Sequence, residues 1–129
     1  MQRIAVNAER PEPEAIAKAV DVLRAGGVVA YPTDTLYGVA VDPRSTEALG
    51  RLFALKGRAL TVAVPLIASD LEQALTAGEF GPRQRRLADT FWPGPLSLVV
   101  PARPGISPMV LAGGSTVAIR VPARAGVDL

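Results

Sequence analysis

The sequence predicts an α/β domain with a mixed sheet, and three observations lead there. Short β-branched runs, such as Val28-Val29-Ala30 and Val117-Ala118-Ile119, alternate with segments whose apolar residues recur at helical spacing. Strand, helix and strand follow one another between residues 39 and 67, an order that predicts a right-handed crossover and some parallel pairing. No internal repeat or linker divides the 129 residues, so residues 1–129 read as one domain, long enough for a real core.

Taken in order, residues 3–6 suit a short first strand. Pro11-Glu12-Pro13-Glu14 then places proline and acids where a helix start favours them. Ile16, Ala19, Val20 and Leu23 form the buried stripe of that helix, and Gly26 or Gly27 caps it. The next stretch, Gly27-Val28-Val29-Ala30-Tyr31-Pro32-Thr33-Asp34-Thr35-Leu36-Tyr37-Gly38, organises the chain. It enters as a buried strand, which Pro32 ends because proline has no N–H for a ladder.

Residues 39–41 read as extended, and Asp42-Pro43-Arg44-Ser45 as a turn into a second helix. Leu49, Leu52 and Phe53 make its inner stripe, with Arg51 outside and an end near Lys56-Gly57-Arg58. Residues 62–67 read as a strand with a proline defect at Pro65. Ser69-Asp70 caps a short helix through Leu75, and Pro82 opens another to about Phe91, with Arg83, Arg85 and Arg86 on a charged face. Trp92-Pro93-Gly94-Pro95 makes a rigid corner between that helix and a strand at residues 96–100. Residues 116–121 form the last strand.

Composition narrows the chemistry. Hydrophobic residues are 49% and charged residues 20%, the balance of a folded rather than a disordered chain. No apolar run approaches the roughly 20 residues that cross a bilayer, and no signal-peptide core opens the chain, so a cytoplasmic protein with no membrane partner is expected. The sequence holds no cysteine and no histidine. Thiolate nucleophiles, disulfides, zinc–thiolate sites, imidazole ligands and the Ser-His-Asp arrangement are therefore excluded, and no protein-ligated metal is expected. An enzyme built this way works by positioning and electrostatics. The net charge of +2 is compatible with an anionic substrate or RNA without demanding either.

Loops leaving the carboxyl ends of strands are where α/β folds bind ligands, which singles out Thr33, Asp34, Thr35 and Tyr37. The same residue types also serve an ordinary turn. Lys56 and Arg58 are two cations at a helix end, able to hold phosphate oxygens or simply to answer the helix dipole. Strand alternation puts Thr116, Ala118 and Arg120 on one face, opposite Val117, Ile119 and Val121. Arg120, amid apolar neighbours, needs an anionic partner: a substrate carboxylate or a structural Asp. The arginines at 83, 85 and 86 make either a solvated face or an RNA contact. Neither a Walker loop nor a dinucleotide fingerprint is present, since Gly113-Gly114-Ser115 lacks the spacing.

Four motifs in order, Tyr31-Pro32-Thr33-Asp34-Thr35-Leu36-Tyr37-Gly38, Lys56-Gly57-Arg58, Trp92-Pro93-Gly94-Pro95-Leu96-Ser97 and Val117-Ala118-Ile119-Arg120-Val121-Pro122, closely resemble the YrdC-like family of threonylcarbamoyl-AMP synthases. The resemblance runs from about residue 15 to residue 122. It implies a twisted mixed sheet flanked by helices, with a concave positive cavity. It also implies a nucleotidyltransferase reaction: L-threonine, bicarbonate or CO2, and ATP give threonylcarbamoyl-AMP and pyrophosphate, for threonylcarbamoyl-adenosine in tRNA. ATP is then a substrate accompanied by Mg2+, and tRNA or double-stranded RNA and the downstream threonylcarbamoyl-transferase machinery are the implied partners.

Position by position, the resemblance assigns Thr35 and Tyr37 to the threonine pocket, Lys56 and Arg58 to the ATP phosphates or the carbamate, Thr116 to the nucleotide and Arg120 to the threonine carboxylate. Two departures stand out. Ala59-Leu60-Thr61-Val62 replaces the family's proline and polar residues, and the family's later Ser-x-Asn segment has no counterpart before Leu129. The expectation is a domain incomplete at its C-terminal end, with weaker ATP binding and self-association or dependence on a partner. A non-catalytic module of the same fold that binds nucleotide or double-stranded RNA is the alternative reading.

Overall fold

The computed structural model describes residues 3–5, 12–31, 38–57 and 63–123. Helix α1, Pro13–Arg24, begins with proline at its first position and Glu14 in its first turn, where the unpaired N–H groups favour an acid. Ile16, Ala19, Val20 and Leu23 are all half-buried along one side, as the spacing predicts. Beyond the helix, Gly27 N–H donates to Val22 O at 2.8 Å and turns the chain into β1, Val29–Tyr31. β1 pairs antiparallel with β2, Gly38–Ala40, with Tyr31 opposite Gly38.

Helix α2, Thr46–Lys56, starts where Ser45 Oγ accepts Ala48 N–H at 3.1 Å. Just before it, Asp42 receives both the Nε and an Nη of Arg44, and this guanidinium holds the Asp42 carboxyl below its ordinary range. Ala48, Leu49, Leu52 and Phe53 are the helix's buried face. Arg51 lies outside as expected, yet its Nη1 reaches the Gly26 carbonyl and ties α2 to the end of α1. Gly57 closes α2 in the left-handed region, φ 62°, where a Cβ is disfavoured.

The second sheet is mixed. β3, Leu66–Ile67, runs parallel to β5, Thr116–Arg120, and β4, Leu98–Pro101, runs antiparallel on the other side of β5. Between them lie α3, Leu71–Ala77, α4, Pro82–Phe91, and the short α5, Pro108–Leu111. Asp70 caps α3 by accepting Gln73 N–H at 2.8 Å, while Pro82 opens α4 as read from the sequence.

The α/β class and the mixed sheet hold, but several boundaries move. The expected single sheet is two sheets among the described residues, and the parallel partner of β3 is β5 rather than the strand before α2. Residues 3–5 carry no strand. Pro65 lacks an N–H, and only Leu66 and Ile67 after it join the ladder. The strand expected from residue 96 begins at Leu98, because the Leu96 carbonyl is taken by Trp92 Nε1–H at 2.7 Å. β5 ends at Arg120 because the Val121 carbonyl accepts Gly94 N–H instead of a strand neighbour. α5 was not foreseen: four residues are too few to show a period, and only Ser107-Pro108 marks its start.

The core sits between this sheet and its helices. Leu49, Val100, Val110 and Ile119 are its largest fully buried side chains, joined by Val117 of β5 and by Val121 just after it. The outward face of the same sheet pairs Val99 with Ala118 and Ile67 with Arg120. Among the described residues no helix is long and apolar enough to cross a membrane.

Candidate functional site

Parallel strands bring their carboxyl ends to one edge, and in open α/β sheets ligands bind outside that edge. Here the edge is formed by Ile67 of β3 and Arg120 of β5, side by side in register. Arg120 is half-buried, and its Nε–H donates to the Gly94 carbonyl at 2.9 Å. A guanidinium held from one side by a backbone carbonyl keeps a fixed plane, which is what bidentate recognition of a carboxylate or phosphate requires.

The acceptor belongs to the corner Trp92-Pro93-Gly94-Pro95, whose Trp92–Pro93 peptide is cis. Trp92 N–H donates to Ala88 O at 2.8 Å as α4 ends, and its ring meets Phe80 edge-on at 5.8 Å between centroids. Gly94 has no room for a side chain, since a Cβ there would lie 2.5 Å from the Phe91 carbonyl oxygen. The corner is thus fastened to α4, to Arg120 at the end of β5 and to Val121 just after it.

Tyr31 brings the first sheet to the same place. Its ring lies over Gly38, where an added Cβ would sit 3.2 Å from the ring carbons. Burial pushes the Tyr31 phenol up, and the positive charge of Arg120 pulls it partly back, so the two side chains are within electrostatic reach. Arg120 and the Gly94 carbonyl thus meet at the carboxyl edge, within electrostatic range of Tyr31.

The other predicted site residues are placed as follows. Lys56 is exposed at the last position of α2. Thr116 is exposed at the opposite end of β5 from Arg120, about 13 Å away by strand rise. Thr35, Tyr37 and Arg58, with Asp34, lie outside the described residues. Arg83, Arg85 and Arg86 are exposed on α4, but Arg85 Nε–H turns back toward the Phe80 carbonyl at 3.3 Å. A cavity of about 270 Å³ beside Asp70, Asp89, Trp92 and Val121 is lined by none of the predicted site residues. Among the described residues no group of three or more acidic side chains is gathered as a metal site would need.

The sequence reading missed Tyr31 and Gly94 as participants. Each was inside a quoted motif. Tyr31 reads as the end of a buried strand, and Gly94 as a pivot between prolines, until the register shows what faces them.

The Sua5/YciO/YrdC family model, described as "Telomere recombination", matches residues 21–128. The chain belongs to this family. Two curated relatives are named threonylcarbamoyl-AMP synthase. The protein of Thiobacillus denitrificans is 43% identical over 103 residues, 79% of this chain and 55% of the relative. That of Halorhodospira halophila is 40% identical over 115 residues, 87% of this chain and 59% of the relative. The chain thus spans between half and three-fifths of the length of these relatives. Among solved structures, P. abyssi Sua5 complexed with L-threonine superposes with a TM-score of 0.88 at 33% identity, over 98% of this chain and 38% of that one. The architecture of this family domain is accordingly the Sua5/YrdC fold.

Proposed function

We propose that this Sua5/YciO/YrdC domain forms threonylcarbamoyl-AMP and pyrophosphate from L-threonine, bicarbonate or CO2, and ATP, supplying a cytoplasmic tRNA modification. The observation that carries this reading is Arg120, fixed by the Gly94 carbonyl at the carboxyl edge of the sheet. A cation so held suits an amino-acid carboxylate, and relatives named for this activity support the substrate.

The chemistry fits a chain without histidine. The threonine amine and bicarbonate give a carbamate with loss of water. A carbamate oxygen attacks the α-phosphorus of ATP, the bond to the β-phosphate oxygen breaks, and pyrophosphate leaves. ATP enters with Mg2+ as part of the substrate. The carbamate is already an anionic nucleophile, so alignment and charge neutralisation suffice. In this reading Arg120 holds the threonine carboxylate, with Thr35 and Tyr37 around the side chain. Lys56 and Arg58 neutralise the phosphates or the carbamate, and Thr116 contacts the nucleotide.

Arg83 and Arg86, exposed three residues apart on α4, favour a second reading in which the domain binds double-stranded RNA or tRNA. The two readings separate experimentally. Lys56→Ala is expected to abolish threonine-dependent pyrophosphate release, and Arg120→Ala to abolish L-threonine binding in calorimetry. Arg83→Ala with Arg86→Ala instead lowers RNA affinity and flattens its salt dependence if RNA is the ligand. Unchanged turnover in Lys56→Ala, or unchanged threonine binding in Arg120→Ala, overturns the corresponding assignment.

A further inference from the structure

Arg120 does not orient itself. Its Nε–H is spent on a main-chain carbonyl that belongs to neither its own strand nor a neighbouring one, but to a corner 26 residues earlier in the chain. That carbonyl can act as a fixed point only if the corner is itself fixed, and two hydrogen bonds fix it. Gly94 N–H donates to Val121 O at 2.8 Å, so the same residue that accepts from Arg120 also binds the backbone just after it. Trp92 Nε1–H donates to Leu96 O at 2.7 Å and spans the corner from within. The Phe91 carbonyl oxygen, 2.5 Å from where a Gly94 Cβ would be, leaves the corner no alternative side chain.

We propose that Trp92-Pro93-Gly94-Pro95 is the positioning element of the anion site. In this view Gly94 sets the plane of the Arg120 guanidinium, and Trp92 holds Gly94 in place for it. In this role the corner needs no contact with substrate. It acts through Arg120, and the proposal extends the threonine-carboxylate reading by naming what gives that arginine its aim. A loosened corner leaves the charge of Arg120 in the site but lets the guanidinium plane wander, so affinity for a planar, bidentate carboxylate falls while general attraction for anions persists.

The test uses the full chain, labelled with 15N, and two readouts: solvent exchange of the Arg120 Nε–H by NMR, and L-threonine affinity by calorimetry. Trp92→Phe keeps an aromatic ring, smaller than the indole, and removes the donor to Leu96. Gly94→Ala drives the corner away from Phe91 and serves as the second variant. Val110→Ala opens a cavity in the core away from the corner and controls for simple loss of stability.

Both corner variants are expected to speed Arg120 Nε–H exchange and to weaken L-threonine by about two- to tenfold, the scale of one hydrogen bond's net contribution. With Arg120→Lys already in place, adding Trp92→Phe is expected to cost nothing further, because the group being aimed is gone. Exchange in Trp92→Phe equal to that of the parent overturns the proposal, as does an equal effect of Val110→Ala on both readouts. A parent chain that fails to bind L-threonine, yet whose corner variants still speed exchange, keeps the positioning role and removes the threonine reading.

Discussion

At the scale of single residues, the charge of Arg120 in the second sheet reaches the Tyr31 phenol of the first. Burial disfavours the phenolate and raises Tyr31 above its ordinary value of 10.0, with Arg120 opposing. A folded-state value above the unfolded one means a stabilising contribution that is full below pH 10 and lost as pH rises through the folded value. In a Tyr37→Phe background Tyr31 is the single tyrosine, and its absorbance titration is expected to have a midpoint above 10.0. Arg120→Gln, which removes the opposing charge, moves that midpoint further up. An unchanged or lower midpoint in Arg120→Gln contradicts the proximity of the two groups. Arg120 itself was legible in the sequence, because an arginine alternating with Val117, Ile119 and Val121 must face away from the core. Its holder was not, since a contact between residues 94 and 120 leaves no mark on local pattern. Nor was the role of Tyr31, whose importance depends on what the hairpin lays across it.

At the scale of elements, helix starts were the most readable feature because their signals are short and chemical. Ser45, Asp70 and Pro82 each mark an observed helix start. The Ser45 hydroxyl satisfies one of the four N–H groups left unpaired at the start of α2. Ser45→Ala is therefore expected to lower stability by about 1 kcal/mol in urea unfolding, with no change in the dependence on denaturant. Because α2 carries Lys56 at its far end and its fold is otherwise kept, the variant is expected to match the parent in the proposed threonine binding. A loss well above that figure would mean that the Asp42–Arg44 turn collapses with the cap. Strand ends were read less well, for a reason the corner makes plain: Leu96 and Val121 look like strand residues, but their carbonyls serve Trp92 and Gly94.

At the scale of the whole molecule, the packing of β5 decides both stability and site. Its inward residues Val117 and Ile119 fill the core while its outward face ends in Arg120, so a slip of one residue would exchange the two sets. Ile119 is 1% exposed and pairs in register with both Leu66 and Leu98. Ile119→Ala is expected to cost about 2–5 kcal/mol in chemical unfolding, whereas Val99→Ala, on the exposed face, changes stability by less than about 0.5 kcal/mol. Equal effects at the two positions would contradict the assigned faces. The α/β class was legible from alternating periods and from the four ordered motifs. The division into two sheets was not, because which strands become neighbours is set by long-range pairing that periodicity does not encode.

In the proposed reaction this family domain joins threonine, bicarbonate and ATP into threonylcarbamoyl-AMP. The most direct measurement supplies 13C-labelled bicarbonate with L-threonine and ATP to the folded chain and follows the nucleotide products by mass spectrometry. The expected product is a threonylcarbamoyl adenylate one mass unit heavier than its unlabelled counterpart, formed together with pyrophosphate and absent when threonine is withheld. A folded chain that releases no pyrophosphate, or releases it without threonine and without incorporating the label, contradicts the account.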